Sequence, residues 1–108
     1  DLDIAVTTLA SNLRRAQALS QSSDGDMRWG VRLGVGSILI YKGPSYVLRD
    51  IVYDENTSIP TTIVPAGINE VNFSKVVGLP NATGTFILTS QNNETRNVTI
   101  NEKGMVDY

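Results

Sequence analysis

The chain of 108 residues contains no cysteine and no histidine. The first absence removes any disulfide frame and any thiolate chemistry. The second removes the usual general base and the commonest metal ligand. A hydroxyl nucleophile would have to borrow its base from a carboxylate or from Lys42, Lys75 or Lys103, which fall in polar or turn contexts. Catalysis is therefore not expected, and neither is a metal or a cofactor. Positive charge is also scarce. Nine Lys plus Arg stand against eleven Asp plus Glu, a net charge of −2, which disfavours non-specific binding to nucleic acid or to anionic lipid. No apolar run approaches the roughly 20 residues that span a bilayer. No signal peptide, internal repeat or low-complexity tract is visible.

What is present begins with an amphipathic stretch. Leu2, Val6, Leu9, Leu13 and Ala16 recur at steps of four and three, the spacing of one face of an α-helix. Ala5, Ala10 and Ala18 widen the stripe. Asp1 and Asp3 suit the positive end of the helix dipole, and Arg14 and Arg15 lie toward the negative end. Poor helix formers from Gln21 to Asp26 end the pattern. The helix is expected over residues 1–22, and its stripe is expected to pack on strands such as Thr85–Thr89. The helical period is already running at Leu2 and Asp1 is no initiator Met, so an upstream continuation is expected.

After the seam from Gln21 to Met27 the pattern changes to strands. Trp29, Val31 and Leu33 alternate with Arg28 and Arg32, the pattern of a half-buried strand. Ser37–Tyr41 is apolar on both faces and reads as a central strand. Lys42–Ser45 reads as a turn. Tyr46–Tyr53 is rich in β formers but is interrupted by Arg49 and Asp50, and Asp54–Thr57 reads as a polar loop. Pro60 places Ile59–Val64 at an edge or in an extended connection, and Pro65-Ala66-Gly67 reads as a turn. Short strands follow at Val71–Phe73, Thr85–Thr89 and Thr95–Ile100. Asn101–Gly104 then connects to a closing strand, with glycine where φ must be positive. At 41% hydrophobic residues the chain can fill one modest core. The expectation is a single α+β domain over 1–108, with one N-terminal amphipathic helix packed on antiparallel sheets formed by residues 28–108.

Four groups of residues bear on function. Asp24-Gly25-Asp26 and Asp54-Glu55-Asn56 offer oxygens to Ca²⁺, but neither has the spacing of a known loop, so solvated turns are expected. Arg14, Arg15, Arg28 and Arg32 are expected near the helix–sheet seam. They serve there either as a solvated face paired with Asp24 and Asp26 or as a charged contact with a neighbouring subunit. Trp29, Tyr41, Tyr46, Tyr53 and Tyr108 are expected mostly to pack in the core and strands. Sequons stand at Asn56, Asn72, Asn81, Asn93 and Asn97, a density that Thr- and Asn-rich strand faces also produce without use.

Leu9-x-x-x-Leu13-Arg14-Arg15-Ala16-Gln17-Ala18-Leu19-Ser20, followed by Trp29-Gly30-Val31-Arg32-Leu33, resembles the region just after the membrane segment of type IV pilin-like proteins. Val71-Asn72-Phe73, Gly78-Leu79-Pro80, Gly84–Leu88 and Val98–Val106 follow in order the pattern of the GspH/FimT-like pseudopilins. Residues 42–68 match least. The resemblance implies a pilin-like fold and a structural minor pseudopilin or pilin of a type II secretion or type IV pilus filament. Its partners would be other pilin or pseudopilin subunits and secreted cargo. It also implies a cleaved leader and an apolar half-helix upstream of Asp1, the sole membrane contact, anchoring the protein in the inner membrane. The globular domain would then be periplasmic or extracellular. Two features depart from the pattern. Several type IV pilins close a C-terminal loop with a disulfide, which this chain cannot form. Some FimT-like proteins bind DNA through a basic tail, whereas this chain ends Lys103-Gly104-Met105-Val106-Asp107-Tyr108, so nucleic acid is not an expected partner. The competing expectation is a secreted adhesin-like sandwich that binds a glycan or protein through exposed aromatics.

Overall fold

The computed structural model describes residues 2–22 and 27–108. Helix α1 (Leu2–Gln21) is followed by eight strands: β1 (Trp29–Gly34), β2 (Ser37–Lys42), β3 (Asp50–Ser58), β4 (Val64–Gly67), β5 (Glu70–Phe73), β6 (Gly84–Thr89), β7 (Thr95–Ile100) and β8 (Val106–Asp107). The strands form two antiparallel sheets, ordered β3-β2-β1-β5 and β4-β6-β7-β8. The class is α+β, with the single helix laid across both sheets. The expected seam residues Asp24, Gly25 and Asp26 lie outside the described residues.

Strong helix formers (Ala, Leu, Gln, Arg) fill the middle of α1. Its buried side carries Leu2, Ala5, Val6, Leu9, Ala10, Leu13, Ala16 and Ser20. Ala18 points to solvent instead. The stripe rests chiefly on β1 and β7 and less on the expected strand β6, whose Phe86 and Leu88 share its core. The dipole argument for Arg14 and Arg15 also fails. The last turn of α1 holds no basic residue, and the dipole acts only over the terminal turn.

The end of the helix is received by other means. The Val76 N–H donates to the Ser20 carbonyl at 2.9 Å. The fully buried Ser20 hydroxyl accepts from the Trp29 N–H at 2.7 Å and lies 3.1 Å from the Phe73 carbonyl, to which it donates. One side chain thus ties α1 to both β1 and β5. Gln17 reaches the carbonyls of Gly78 and Lys103 at 3.0 and 3.2 Å. The segment it holds is strained. Val76 has φ of 69°, a region β-branched residues avoid, and the Val77 N–H closes a tight γ-turn onto the Lys75 carbonyl at 2.7 Å. The helix end supplies the bonds that keep this turn in place.

In the first sheet, β1 and β2 run in unbroken register from Trp29↔Lys42 to Gly34↔Ser37. Trp29, Val31, Leu33, Ile38 and Ile40 are buried in the core, where β5 adds Val71 and Phe73. The second sheet contributes Phe86, Leu88, Val98 and Ile100, and Ile59 and Ile63 fill the space along the connection between β3 and β4. Gly30 has a specific role. A Cβ there would lie 2.5 Å from the Tyr41 ring and 2.7 Å from the Val71 carbonyl, so only glycine lets that ring lie against β1.

Two sequence expectations are corrected here. Asp54–Thr57 is part of strand β3, because Asn56, Thr57 and Ser58 pair with Leu39, Ile38 and Ser37. Pro65-Ala66-Gly67 belongs to β4, paired in register with Phe86–Leu88. Both are outermost strands, where polar residues and a proline without an N–H are tolerated. Lys42 likewise ends β2 rather than opening a turn.

Leu13 is wholly buried in the middle of the stripe. Replacing it with Ala should cost about 2–5 kcal/mol, the range for deleting a buried leucine side chain. Leu13→Asp should abolish cooperative unfolding, because it buries an unpaired charge. Urea denaturation followed by circular dichroism checks both. A wild-type midpoint for either variant would refute the packing described.

Candidate interaction surface

The face of α1 turned away from the sheets runs from Ile4, which is 65% exposed, through Thr7, Ser11 and Ala18 to Ser22. Its polar groups are largely used internally. The Thr7 and Thr8 hydroxyls donate to the carbonyls of Asp3 and Ile4 at 2.9 and 2.7 Å. The hydroxyls therefore turn toward the backbone, and the face offers methyl groups to solvent. Two shallow depressions follow this face, one lined by Asp3, Ile4, Thr7 and Thr8 and the other by Ser11, Asn12, Arg15, Ala18, Leu19 and Ser22.

The four arginines singled out from the sequence do not gather in one place. Arg15 forks onto Glu55 of β3, with Nε at 2.7 Å and Nη2 at 2.8 Å from the two carboxylate oxygens. Arg14 lies over the Tyr108 ring at 5.6 Å. Arg96 reaches back to Asp3 at 3.3 Å. These contacts flank the outer helix face and fix its edges. Arg28 and Arg32 lie on the other side of the first sheet. The pairing expected with Asp24 and Asp26 falls outside the described residues.

The outer side of the first sheet holds a network that sequence reasoning missed. The Tyr41 hydroxyl donates to Glu70 Oε2 at 2.6 Å, and the Tyr46 N–H donates to the same oxygen at 2.9 Å. Asn72, buried at 1% exposure, donates to the Gly43 carbonyl at 2.9 Å. The Tyr46 ring is held between two guanidiniums, Arg32 at 4.2 Å and Arg49 at 4.1 Å. Arg49 Nε–H also donates to both Asp54 oxygens, at 3.1 and 3.2 Å. Burial, and then the hydrogen bond to Glu70, push the Tyr41 hydroxyl well above the usual tyrosine range. The available signal was the alternation of Arg28, Gly30 and Arg32 on the non-core side of β1. Glu70 and Asn72 had none, because only strand pairing brings them there.

The five aromatics do not form one open face. Trp29 meets Tyr53 edge-on at 6.4 Å, with Lys42 at 3.8 Å from the Tyr53 ring. Tyr41 meets Tyr46 at 6.3 Å, and Tyr108 lies under Arg14. Of the sequon asparagines, Asn72 is buried, while Asn56, Asn81, Asn93 and Asn97 are exposed. Asp54 and Glu55, considered above as oxygen donors, are occupied by Arg49 and Arg15. Among the described residues, no three His, Cys, Asp or Glu gather where they could hold a metal ion. The chain matches no protein-family model, no curated protein and no solved structure.

The fork from Arg15 holds the Glu55 carboxyl below the usual glutamate range. A lowered folded-state pKa means the pair stabilises the fold above the ordinary glutamate pKa and stops doing so as pH falls through the folded value. The pair is exposed, so its contribution stays below about 1 kcal/mol. A carboxyl ¹³C titration should place Glu55 below the ordinary range, and Arg15→Gln should return it there. Equal midpoints in the two proteins would remove the fork from the solution structure. Tyr41→Phe should cost about 1–3 kcal/mol, because it takes a donor from partly buried Glu70. An unchanged denaturation midpoint would show the network to be energetically idle.

Proposed function

We propose that the chain is a structural subunit of a pilus-like filament, a minor pseudopilin or pilin-like protein of a type II secretion or type IV pilus assembly. The observation that carries this reading is the division of α1 into two unlike faces. One is buried across both sheets over the whole length of the helix. The other is uncovered from Ile4 to Ala18, with its charged residues Asp3, Arg14 and Arg15 each engaged by another element and its threonine hydroxyls turned inward. A long helix with one side committed to its own domain and the other left smooth is suited to lying against a neighbour's helix, where methyl-rich surfaces pack closely. The ordered resemblance to GspH/FimT-like pseudopilins supports the same reading. No helix among the described residues is long and apolar enough to cross a membrane. The tether to the inner membrane would then be a segment preceding Asp1, with the domain in the periplasm or outside the cell. Other pilin-like subunits and secreted cargo are the partners in this reading, and no reaction is assigned to the protein. The alternative of a secreted adhesin-like module requires an open aromatic face, and the separation of the five aromatics into three groups gives it less support.

The test is site-specific photocrosslinking in the full-length protein in its own cell envelope, with benzoylphenylalanine placed at Ser11 or Ala18. Irradiation should yield adducts that mass spectrometry identifies as pilin-like subunits. The same probe at Ala82, which is exposed and off the helix face, should not. If Ser11 and Ala18 give no adduct at native expression level, the filament reading fails.

A further inference from the structure

Most large apolar side chains among the described residues are in the core, but the segment leading into β3 departs strongly from this. Within six consecutive residues, Val47 is 85% exposed, Leu48 70%, Ile51 67% and Val52 81%. The segment joins β2 to β3 and runs into a break in their pairing. Ile40 pairs with Glu55 and Lys42 with Asp50, so residues 51–54 stand opposite Tyr41 alone and bulge from the sheet edge.

The ridge is held rather than loose. Arg49 grips both oxygens of Asp54, donates to the Tyr46 carbonyl at 3.0 Å and stacks on the Tyr46 ring. The Leu48 N–H donates to Ser45 Oγ at 3.2 Å, and the Val52 N–H donates to Asp50 Oδ1 at 3.2 Å. Exposed apolar groups on a pre-organised support mark an interaction surface, because little ordering remains to be done on binding.

Its charges indicate the partner. Asp50 carries no salt bridge among the described residues. Arg32, stacked on Tyr46 directly beside the ridge, makes no hydrogen bond to any described residue, and its nearest carboxylate oxygen, on Glu70, is 3.8 Å away. The segment therefore carries an acid without a salt bridge, Asp50, and lies beside a guanidinium, Arg32, whose ion pair to Glu70 is long and which makes no hydrogen bond to a described residue. That pattern is self-complementary across a two-fold axis. An anionic lipid surface fits poorly, given Asp50 and the net charge of −2.

We propose that residues 46–52 form a self-association surface, in which Val47, Leu48, Ile51 and Val52 pack against the same residues of a second copy and Asp50 of each protomer pairs with Arg32 of the other. This surface is separate from the outer face of α1, so the inference stands or falls independently of the filament reading. Four side chains per protomer fall short of the roughly 800 Å² per partner of a standard interface, so the dimer is weak, with Kd of about 10 µM to 1 mM.

Sedimentation equilibrium of the 108-residue chain over that range should show a monomer–dimer equilibrium. Val52→Glu should leave the melting temperature unchanged and raise Kd at least about tenfold. Asp50→Arg and Arg32→Glu should each be monomeric alone, through like-charge contacts at both flanks. Mixed together, they should form a heterodimer, because both flanks then pair opposite charges. If Arg32→Glu proves unfolded, Val52→Glu and Asp50→Arg decide the matter. A chain monomeric to 1 mM, or a dimer indifferent to Val52→Glu and Asp50→Arg, would overturn the proposal. So would binding to phosphatidylcholine–phosphatidylglycerol vesicles that Val52→Glu abolishes, since it would assign the ridge to lipid.

Discussion

The apolar stripe of α1 has to be removed from water along the full twenty-residue helix, and the rest of the molecule is arranged around that need. The helix lies chiefly on β1 of one sheet and β7 of the other, so each sheet buries part of the stripe and the helix holds the two together. Burial of Leu9, Leu13 and Ala16 is non-directional. The directional part of the arrangement comes from Ser20 and Gln17. Ser20 joins the helix end to β1 and β5, and Gln17 joins it to the loops carrying Gly78 and Lys103. Removing water drives the assembly, and a few buried hydrogen bonds fix the position of the helix along the sheets.

That position has consequences further out. The loop that receives the helix end carries Val76 in a left-handed conformation, and Val76, Val77 and Leu79 all face solvent. On the far side of the first sheet, the slot left by Gly30 admits the Tyr41 ring. Around it Glu70, Tyr46, Arg32 and Arg49 form a second, polar layer. The first sheet is therefore covered on both faces, by the helix on one and by charged and aromatic groups on the other. Uncovered apolar groups remain on the outer helix face, on the 46–52 ridge and on the loop carrying Val76 and Val77. The helix face and the ridge lie on different sides of the molecule.

Charge is used in the same economical way. Arg15 and Arg49 each take a carboxylate from β3, and Arg96 takes one from the first turn of α1, so these pairs fix edges of the fold. Individually such exposed pairs stabilise little. Their effect is geometric, holding β3 against the helix and the β6–β7 hairpin against its first turn.

The helix, its buried stripe and the strands around 29–33, 37–41 and 85–89 were legible from the chain itself, because side-chain period reports local structure wherever one face is buried. So were the lack of a histidine base and the lack of any disulfide. Three things were decided only in three dimensions. Asp54–Thr57 and Pro65–Gly67 read as loop and turn by composition, yet they became strands because a neighbouring strand offered a free edge. Glu70 and Asn72 gained partners only through the pairing of β5 with β1. The exposure of Val47, Leu48, Ile51 and Val52 was invisible, since a run of β formers reads as buried strand until a register break turns it outward. Periodicity along the chain records which face of an element is apolar. Which faces meet, and which are left uncovered, depends on contacts between residues distant in sequence, and no local pattern carries that information.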